Sequence, residues 1–281
     1  MQIDLNLYRK NIYTNSGIRP CPGYGEDGVL EEIFKKIQVS RNPLCVEFGE
    51  LRSLGTTSRS FRIKYFAKSL YFSGSLDLKS KLLNILDVLK LVYKQKNIRY
   101  IKFLLNLPTK QFAISNNICK IISRFTKNRE IDLFVCDIDS FDFEIIKEML
   151  YTNIRPRVLI VEYNPSLPVD SAIYWPEAKV RNLGTNKKLY GASYLAWEGL
   201  LSKNGYSLVH ISGFCNLHYI RTDIDHNFSK PNIAIEITDT KEKCLDFATK
   251  YCLPGFKPSW LDSPNLNSDE ISQLSKFEAS C

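Results

Sequence analysis

The sequence lacks several patterns that would identify a protein class at once. Its 281 residues contain no run of about 18 apolar residues, so no membrane-spanning helix is predicted. The first residues lack the basic-then-apolar layout of a secretory signal, and we therefore expect a cytoplasmic protein. The eight cysteines include no closely spaced pair of the kind that binds zinc, which favours reduced, structural thiols. The nucleotide fingerprint G-x-G-x-x-G is also absent.

Charge is unevenly spread along the chain, whose net charge is +8. Between Arg52 and Arg129 there are 17 basic residues and only two acids, Asp77 and Asp87, so the remainder is net acidic. Such asymmetry favours an anionic partner for the first half: an acidic glycan, a nucleotide-linked sugar, an anionic membrane surface or RNA. A solvated basic face with no partner is the alternative. RNA is the less favoured partner, because aromatic side chains do not interleave with the basic ones as in a binding module.

Strand and helix patterns alternate along the chain. Short apolar runs are typical of buried parallel strands, and the segments between them show helical apolar spacing. This alternation predicts an α/β fold with a doubly wound, mostly parallel sheet, helices on both faces and an antiparallel final strand pair. The predicted strands lie at 43–50, 69–76, 98–105, 131–138, 157–163, 206–211 and 216–221, and the predicted helices at 27–38, 56–67, 78–94, 115–125, 142–150 and 190–204.

Two segments show no clear periodicity. A Pro/Asn-rich stretch, 164–188, is predicted to be a loop or lid. The polar, proline-containing tail after about residue 255 is expected to be poorly ordered.

Acidic and amide side chains follow two neighbouring predicted strands. Asp137 and Asp139 share one face of their strand, and Glu162 and Asn164 share a face of the next. Ligands of open α/β sheets bind outside the carboxyl ends of the strands, so we expect these oxygen atoms to converge in one crevice. Hard oxygen ligands suit Mg²⁺, which can orient a bound hydroxyl. The alternative is structural, with Asp142 capping the helix from Phe143 and the other acids bonding loop amides.

The first predicted strand ends in a turn that could border a cofactor. In VEFGELRS (46–53), Glu47 and Gly49 lie at the strand end, where a glycine permits a tight turn and a close approach to the backbone. Asp77, at the end of the second strand, matches the acid that accepts hydrogen bonds from a ribose. An ordinary strand-to-helix turn, with Asp77 as a helix cap, explains the same residues.

The later part of the chain is predicted to be structural. Trp197 and Leu200 fall on the inner face of the helix at 190–204, and His210 and His218 follow strand patterns. Histidines in such positions are more often satisfied core residues than ligands.

Taken in order, these segments resemble the FkbM-type S-adenosylmethionine-dependent methyltransferases. The resemblance covers roughly residues 23–222 and rests on the residue types and the order of successive motifs. These are the Gly-Glu-Asp-Gly helix start (25–28), Val-Glu-Phe-Gly (46–49), Asn-Ile before Asp-x-Asp (117–118 and 137–139), Glu-Tyr-Asn (162–164), Gly-Ala-Ser (191–193) and Gly-Tyr-x-Leu-Val (205–209).

The resemblance implies a Rossmann-like methyltransferase sheet and a set of roles for particular residues. It implies that S-adenosylmethionine contacts Glu26, Asp27, Glu47, Gly49, Ser58, Asp77 and Asp137. The paired acid strands are also similar to those of metal-dependent O-methyltransferases of the catechol type, which would make Asp139, Glu162 and Asn164 the Mg²⁺ ligands. Asp139 and Asp142 are the candidate catalytic bases. Many relatives methylate sugars, which implies a glycan-type acceptor and a role in polysaccharide biosynthesis.

The sequence therefore predicts an N-terminal segment (1–22), a methyltransferase domain (23–222) with an insertion at 164–188, and a C-terminal extension (223–281). The predicted function is O-methylation of a sugar or other small hydroxyl acceptor, anionic in character. Where relatives have Asp-Gly and then Ser-Asn-Thr after Gly49, this chain has Arg52–Ser53 and Thr57–Ser58. Two alternatives stay open: a binding protein of the same fold that has lost its cofactor, and an RNA-directed methyltransferase.

Overall fold

The protein is described by a computed structural model that covers residues 2–9, 25–49, 57–73, 109–111, 118–138, 141–176, 190–212, 215–224, 226–233, 268–272 and 274–277. The predicted helix at 78–94 and strand at 98–105 lie outside these residues, as do Asp77 and Asp139. No helix in the described ranges is long and apolar enough to cross a membrane.

The described chain forms alternating strands and helices. The helices are α1 (Glu26–Ile37), α2 (Arg59–Tyr65), α3 (Ile118–Thr126), α4 (Asp142–Tyr151), α5 (Tyr194–Lys203) and α6 (Ser268–Ser272), preceded by a 3-10 turn at Leu5–Tyr8. The strands are β1 (Leu44–Phe48), β2 (Lys68–Ser73), β3 (Thr109–Gln111), β4 (Leu133–Cys136), β5 (Val158–Glu162), β6 (Ile173–Tyr174), β7 (Tyr206–Ser212), β8 (Asn216–Arg221) and β9 (Ser275–Lys276).

Seven of the described strands form one sheet in the order β3-β2-β1-β4-β5-β8-β7. β1 pairs in parallel with β2, from Leu44 opposite Lys68 to Phe48 opposite Phe72, and β2 pairs in parallel with β3. β7 and β8 are antiparallel. The first five strands follow the order of a doubly wound Rossmann sheet. The predicted fold class, a mostly parallel Rossmann-like α/β sheet that finishes in an antiparallel pair, is confirmed.

The chain divides into two compact units whose sequences interleave. Unit 1 comprises Met1–Val135, Arg155–Leu159 and Ile224–Ser229, and unit 2 comprises Cys136–Ile154, Ile160–Asp223 and Lys230–Cys281.

Unit 1 has a core of stacked aromatic rings and apolar helix faces. Phe48 of β1 stacks on Phe72 of β2, with ring centroids 4.2 Å apart, and Phe34 of α1 contacts Phe61 of α2 at 4.3 Å. The predicted apolar face of α1 is fully buried. Because every side chain of β1 is buried, the acid within it, Glu47, is buried too.

Unit 2 is built around β5, α4, α5 and the β7–β8 hairpin. Trp197 and Leu200 of α5 are buried, as predicted, and so are His210 and His218. Two small strands lie outside the seven-stranded sheet: β6 and β9 pair antiparallel, with Ile173 opposite Lys276.

The structure corrects three local predictions. The helix predicted at 27–38 begins one residue earlier, at Glu26, with Gly25 rather than an acid as its N-cap. Asp142 does not cap a helix from Phe143, because α4 begins at Asp142 itself. The tail after residue 255, expected to be poorly ordered, contains α6 and β9, because its apolar residues Ile271 and Leu274 pack on a cluster in unit 2.

Candidate cofactor and acceptor sites

Glu47, at the end of β1, is tied into a buried network of unit 1. The Ser58 hydroxyl donates to Glu47 Oε2, and Arg62 Nε donates to Ser58 Oγ at 2.9 Å. Ser58 and Arg62 lie one helical turn apart, so both project from the same side of α2. All three side chains are buried. The network therefore fixes the start of α2 against the end of β1.

Burial and charge act in opposite directions on this network. Burial raises the pKa of Glu47, whereas the positive charge of Arg62 and the hydrogen bond from Ser58 lower it. Burial likewise lowers the pKa of Arg62, and the carboxylate of Glu47 raises it. The neighbouring thiol of Cys45 has its pKa raised to about 12, chiefly by burial, so it stays protonated and unreactive at neutral pH.

The other predicted cofactor residues of unit 1 lie at the ends of β1 and α1. Gly49 N–H donates to Phe72 O at 3.1 Å and so extends the β1–β2 pairing by one residue. Glu26 is buried in the first turn of α1, and Asp27 is half-buried beside it. Gly25 has φ of +80°, and a Cβ there would lie 2.8 Å from Arg9 Cβ. The N-terminal segment therefore packs directly against the start of α1.

Three predicted acids of unit 2 lie close enough together to act on one thiol. The pKa of Cys136, at the end of β4, is raised well above its usual range first by burial and then by the negative charges of Asp142, Asp137 and Glu162. Asp142 is fully buried, and its Oδ1 accepts the Ile138 N–H at 2.9 Å. Its carboxylate thus links the start of α4 to Ile138, two residues after β4.

The end of β5 is held by an indole. Glu162 is buried, and its backbone carbonyl accepts the Trp197 Nε1–H at 2.8 Å. This bond anchors the end of β5 to α5 and so fixes the backbone position of Glu162.

Asn164 joins the two ends of the predicted lid. Its Oδ1 accepts the Ser166 N–H at 2.9 Å, and its Nδ2 donates to Tyr190 O at 3.1 Å. Its own N–H donates to Ala192 O at 2.9 Å. The side chain, fully buried, therefore links the residues around position 164 to Tyr190.

The metal set inferred from the resemblance stays a prediction. Among the residues that the structure describes, no group of three or more His, Cys, Asp or Glu side chains could hold a metal ion. Asp139, the third predicted ligand beside Glu162 and Asn164, falls outside them. The donor set is chemically suited to Mg²⁺, since all its ligand atoms are oxygens.

A buried polar face on the β7–β8 hairpin was not predicted as a site. His210 lies opposite His218, Ser212 lies opposite Asn216, and all four are buried. The Ser212 Oγ and His218 Nε2 atoms are 2.6 Å apart. The Tyr163 N–H donates to Cys215 O at 2.7 Å, which connects the residue after β5 to the residue before β8. The alternation of polar residues in His-x-Ser and Asn-x-His was the signal that could have revealed this face.

Comparison with known proteins gives only distant similarities. No family model matches the chain, and no curated protein does. Among solved structures, the rRNA methyltransferase aviRa from Streptomyces viridochromogenes is 10% identical with a TM-score of 0.29, covering 52% of this chain and 76% of its own.

Two further solved structures are similar at the same level. An O-methyltransferase from Bacillus cereus in complex with SAH is 12% identical, with a TM-score of 0.37 and coverage of 74% and 84%. The METTL16 methyltransferase domain is 10% identical, with a TM-score of 0.38 and coverage of 70% and 67%. With TM-scores below 0.5, these similarities establish neither a family nor an activity for the chain.

Proposed function

We propose that the protein is an S-adenosylmethionine-dependent O-methyltransferase that acts on a hydroxyl of a sugar or glycan-type acceptor. The observation that carries this proposal is the strand order β3-β2-β1-β4-β5-β8-β7 with its antiparallel final pair, combined with acids at the ends of β1, β4 and β5. It is the sheet expected from the FkbM-type resemblance, and the acids lie at the strand ends, where such sheets bind ligands.

The cofactor would be held by residues of unit 1, and the resemblance adds Asp137 as a further candidate. Glu47 and Gly49 lie at the end of β1, Ser58 immediately precedes α2, and Glu26 and Asp27 lie in the first turn of α1. Because Glu47 is engaged by Ser58 and faces the charge of Arg62, its part is to fix the start of α2 against β1 rather than to carry a free charge to the ligand. The cofactor supplies an activated methyl group.

The acceptor hydroxyl would be oriented and deprotonated by residues of unit 2. Displacement at the methyl carbon needs alignment of the donor and acceptor and removal of one proton. Asp139 is the preferred base, since Asp142 already accepts the Ile138 N–H. Mg²⁺ on Asp139, Glu162 and Asn164 would lower the pKa of the hydroxyl.

Calorimetric titration with S-adenosylhomocysteine tests the cofactor part of the proposal. We expect a dissociation constant on the order of micromolar. Absence of binding would instead favour the second candidate, a binding protein of the same fold, which is motivated by the altered turn after Gly49.

The Asp139→Ala variant tests the catalytic part. We expect methyl transfer to fall by about 100-fold or more, with cofactor affinity largely unchanged, because a lost general base affects turnover and not donor binding. Asp170→Ala, which removes an exposed acid of unit 2, is the matched control. Full activity of Asp139→Ala on an acceptor that the unaltered protein methylates would refute the role of Asp139. Activity of the unaltered protein that EDTA does not change would refute the role of Mg²⁺.

An RNA acceptor is the remaining alternative, motivated by the basic segment from Arg52 to Arg129. Binding of RNA that weakens steeply with salt in a gel-shift assay would support it. Absence of a shift, or a shift that salt does not affect, would exclude it.

A further inference from the structure

The C-terminal segment is bound to the predicted lid by backbone hydrogen bonds. β9 pairs antiparallel with β6, placing Ile173 opposite Lys276 and Tyr174 opposite Ser275. The Phe277 N–H then donates to Ala172 O at 2.8 Å. We refer to residues 268–272 and 274–277, which form α6 and β9, as the C-terminal cover.

One aromatic side chain anchors this cover to α4 of unit 2. The ring of Phe277 lies edge-on to Phe143 of α4, with centroids 5.2 Å apart. Phe143 also stacks on Tyr174 at 4.5 Å and contacts Trp197 at 5.0 Å. On the α5 side, Gly199 leaves space for the ring, since a Cβ at Gly199 would lie 3.2 Å from Phe277 Cε1. The ring of Phe277 and the two-residue strand β9 thus attach one end of the cover, and Leu274 and Ile271 attach the other.

Beneath the cover lies a buried hydrogen-bond donor for which the described part of the chain provides no acceptor. Trp175, just after β6, is buried with Leu167, Ile173 and Leu274, and Ile271 packs against this cluster. Its indole Nε1 has no hydrogen-bond partner among the residues that the structure describes. Buried indole N–H groups usually find a partner, and Trp197 donates its own to Glu162 O.

The chemistry around Trp175 favours a particular kind of ligand. The cover presents Leu274 and Ile271, whose side chains are apolar and cannot accept a hydrogen bond, so the closed arrangement leaves the donor unsatisfied. A sugar has both a C–H face that packs on apolar and aromatic side chains and hydroxyl oxygens that accept hydrogen bonds. Such a ligand would satisfy the indole and retain apolar contact with Leu167 and Ile173.

We propose that the C-terminal cover is displaceable, and that the sugar acceptor replaces it against Trp175 and accepts the indole N–H. The identity of the ligand as the methyl acceptor rests on the proposed function. In this arrangement the cover competes with the acceptor, so the closed chain is autoinhibited.

Solvent exchange of the indole protons tests whether the cover opens. The chain has three tryptophans, and Trp175→Phe and Trp197→Phe assign their signals in the full-length protein. In Phe277→Ala, which removes the anchoring ring, we expect the Trp175 indole proton to exchange about tenfold faster, whereas the Trp197 proton stays protected by Glu162 O. Gly199→Val, which crowds the ring from α5, should have the same effect. Lys276→Ala, at an exposed position of β9, is the matched control. Unchanged exchange in both loosened variants would overturn the proposal.

Titration with sugars tests what replaces the cover. The probes are methyl glycosides and disaccharides, neutral and uronic, added at millimolar concentration with S-adenosylhomocysteine present. We expect at least one probe to shift the Trp175 indole signal and not that of Trp197. The same probe should bind several-fold more tightly to Phe277→Ala and to Gly199→Val than to the unaltered protein. Adding Trp175→Phe to either variant should abolish this tighter binding.

Three results would contradict the claim that a sugar replaces the cover. The first is that no probe shifts the Trp175 indole signal, and the second is that a probe shifts the Trp175 and Trp197 signals equally. The third is a long-lived water bound to the Trp175 indole in the unaltered protein. Each is distinct from failure of the proposed function, which would appear as absence of S-adenosylhomocysteine binding whatever the behaviour of the cover.

Discussion

Two buried carboxylates of unit 1 are stabilised in different ways. Asp132, fully buried, accepts hydrogen bonds from Ser40 N–H, Ser40 Oγ, Leu44 N–H and Arg157 Nη1. Glu47 is bonded to the Ser58 hydroxyl and faces the charge of Arg62. Opposite buried charges that face one another in this way contribute little net stability, but removing one of them leaves the other uncompensated.

Removing Arg62 should make stability depend on pH in a defined direction. Burial already raises the pKa of Glu47, and Arg62→Met would raise it further because the opposing charge is lost. A carboxyl with a raised pKa binds its proton more tightly in the folded than in the unfolded chain, so stability falls as pH rises above the ordinary value. We expect Arg62→Met to lose about 3–5 kcal/mol at about pH 8 and less at about pH 5, as measured by urea unfolding.

The double variant Glu47→Gln/Arg62→Met is the control for this effect. With both charges gone, it should be more stable than Arg62→Met at about pH 8 and should lack the added pH dependence. If the single and double variants have the same stability at both pH values, Glu47 and Arg62 are not energetically coupled.

At the scale of elements, Asp132 and Arg157 join several segments of unit 1. Arg157 donates to Asp132 at 3.0 Å. It also donates to the Ile37 and Gln38 carbonyls at 2.8 Å and 2.7 Å, which gives the last carbonyl groups of α1 a hydrogen-bond donor. Asp132 bonds the backbone at the start of β1. This pair fixes α1 and β1 relative to the residues that precede β4 and β5.

Asp132→Ala should therefore destabilise the protein strongly. It leaves Arg157, largely buried, without its main counter-charge and removes acceptors from buried donors, for which we expect a loss of about 3–5 kcal/mol. Glu130→Ala is the matched control, because Glu130 faces the same arginine at 3.7 Å but is 45% exposed; its loss should be at most about 0.5 kcal/mol. Equal losses in chemical unfolding would show that burial does not distinguish the two acids.

Much of this element-scale architecture could be predicted from the sequence. Val29, Leu30, Ile33, Phe34 and Ile37 are buried on α1 as their spacing indicates, and β7 and β8 pair as expected. β6 and β9 were not predicted, because each has two residues and is stabilised by a partner about a hundred positions away, which no local pattern encodes. The helix start at Glu26 was missed because Gly25, with positive φ, takes the N-cap position without a side-chain bond.

The candidate site was less predictable than the fold. Asp137, Asp142 and Glu162 each raise the pKa of Cys136, whereas the predicted crevice that joins them to Asp139 and Asn164 stays a prediction. The sequence did not reveal that Asp142 is engaged by the Ile138 N–H or that Arg62 faces Glu47, because these contacts depend on side-chain packing. The roles of Asp77 and Asp139 stay predictions.

At the scale of the whole molecule, the N-terminal segment belongs to unit 1. Ile3 N–H donates to Asn227 O, and Ser229 N–H donates to Ile3 O, both at 2.9 Å. Leu5 is 1% exposed, whereas Leu7, in the same 3-10 turn, is 81% exposed.

These two leucines provide a paired test of that integration. Leu5→Ala should lower the free energy of unfolding by about 2–5 kcal/mol, because it empties a buried site. Leu7→Ala should change it by no more than about 0.5 kcal/mol. Thermal or urea unfolding of the two variants measures the difference, and equal stabilities would mean that residues 2–9 do not contribute to the core.

The bonds between Ile3 and the chain near Ser229 also bear on biosynthesis. The hydroxyl of Ser229 donates to Ile3 O across 226 positions, so the residues around Ile3 cannot make this contact until the chain near Ser229 has been translated. During that interval Leu5 has no completed core to enter and is exposed to chaperones and proteases. Docking of residues 2–9 onto unit 1 is therefore expected to be a late step in the folding of this unit.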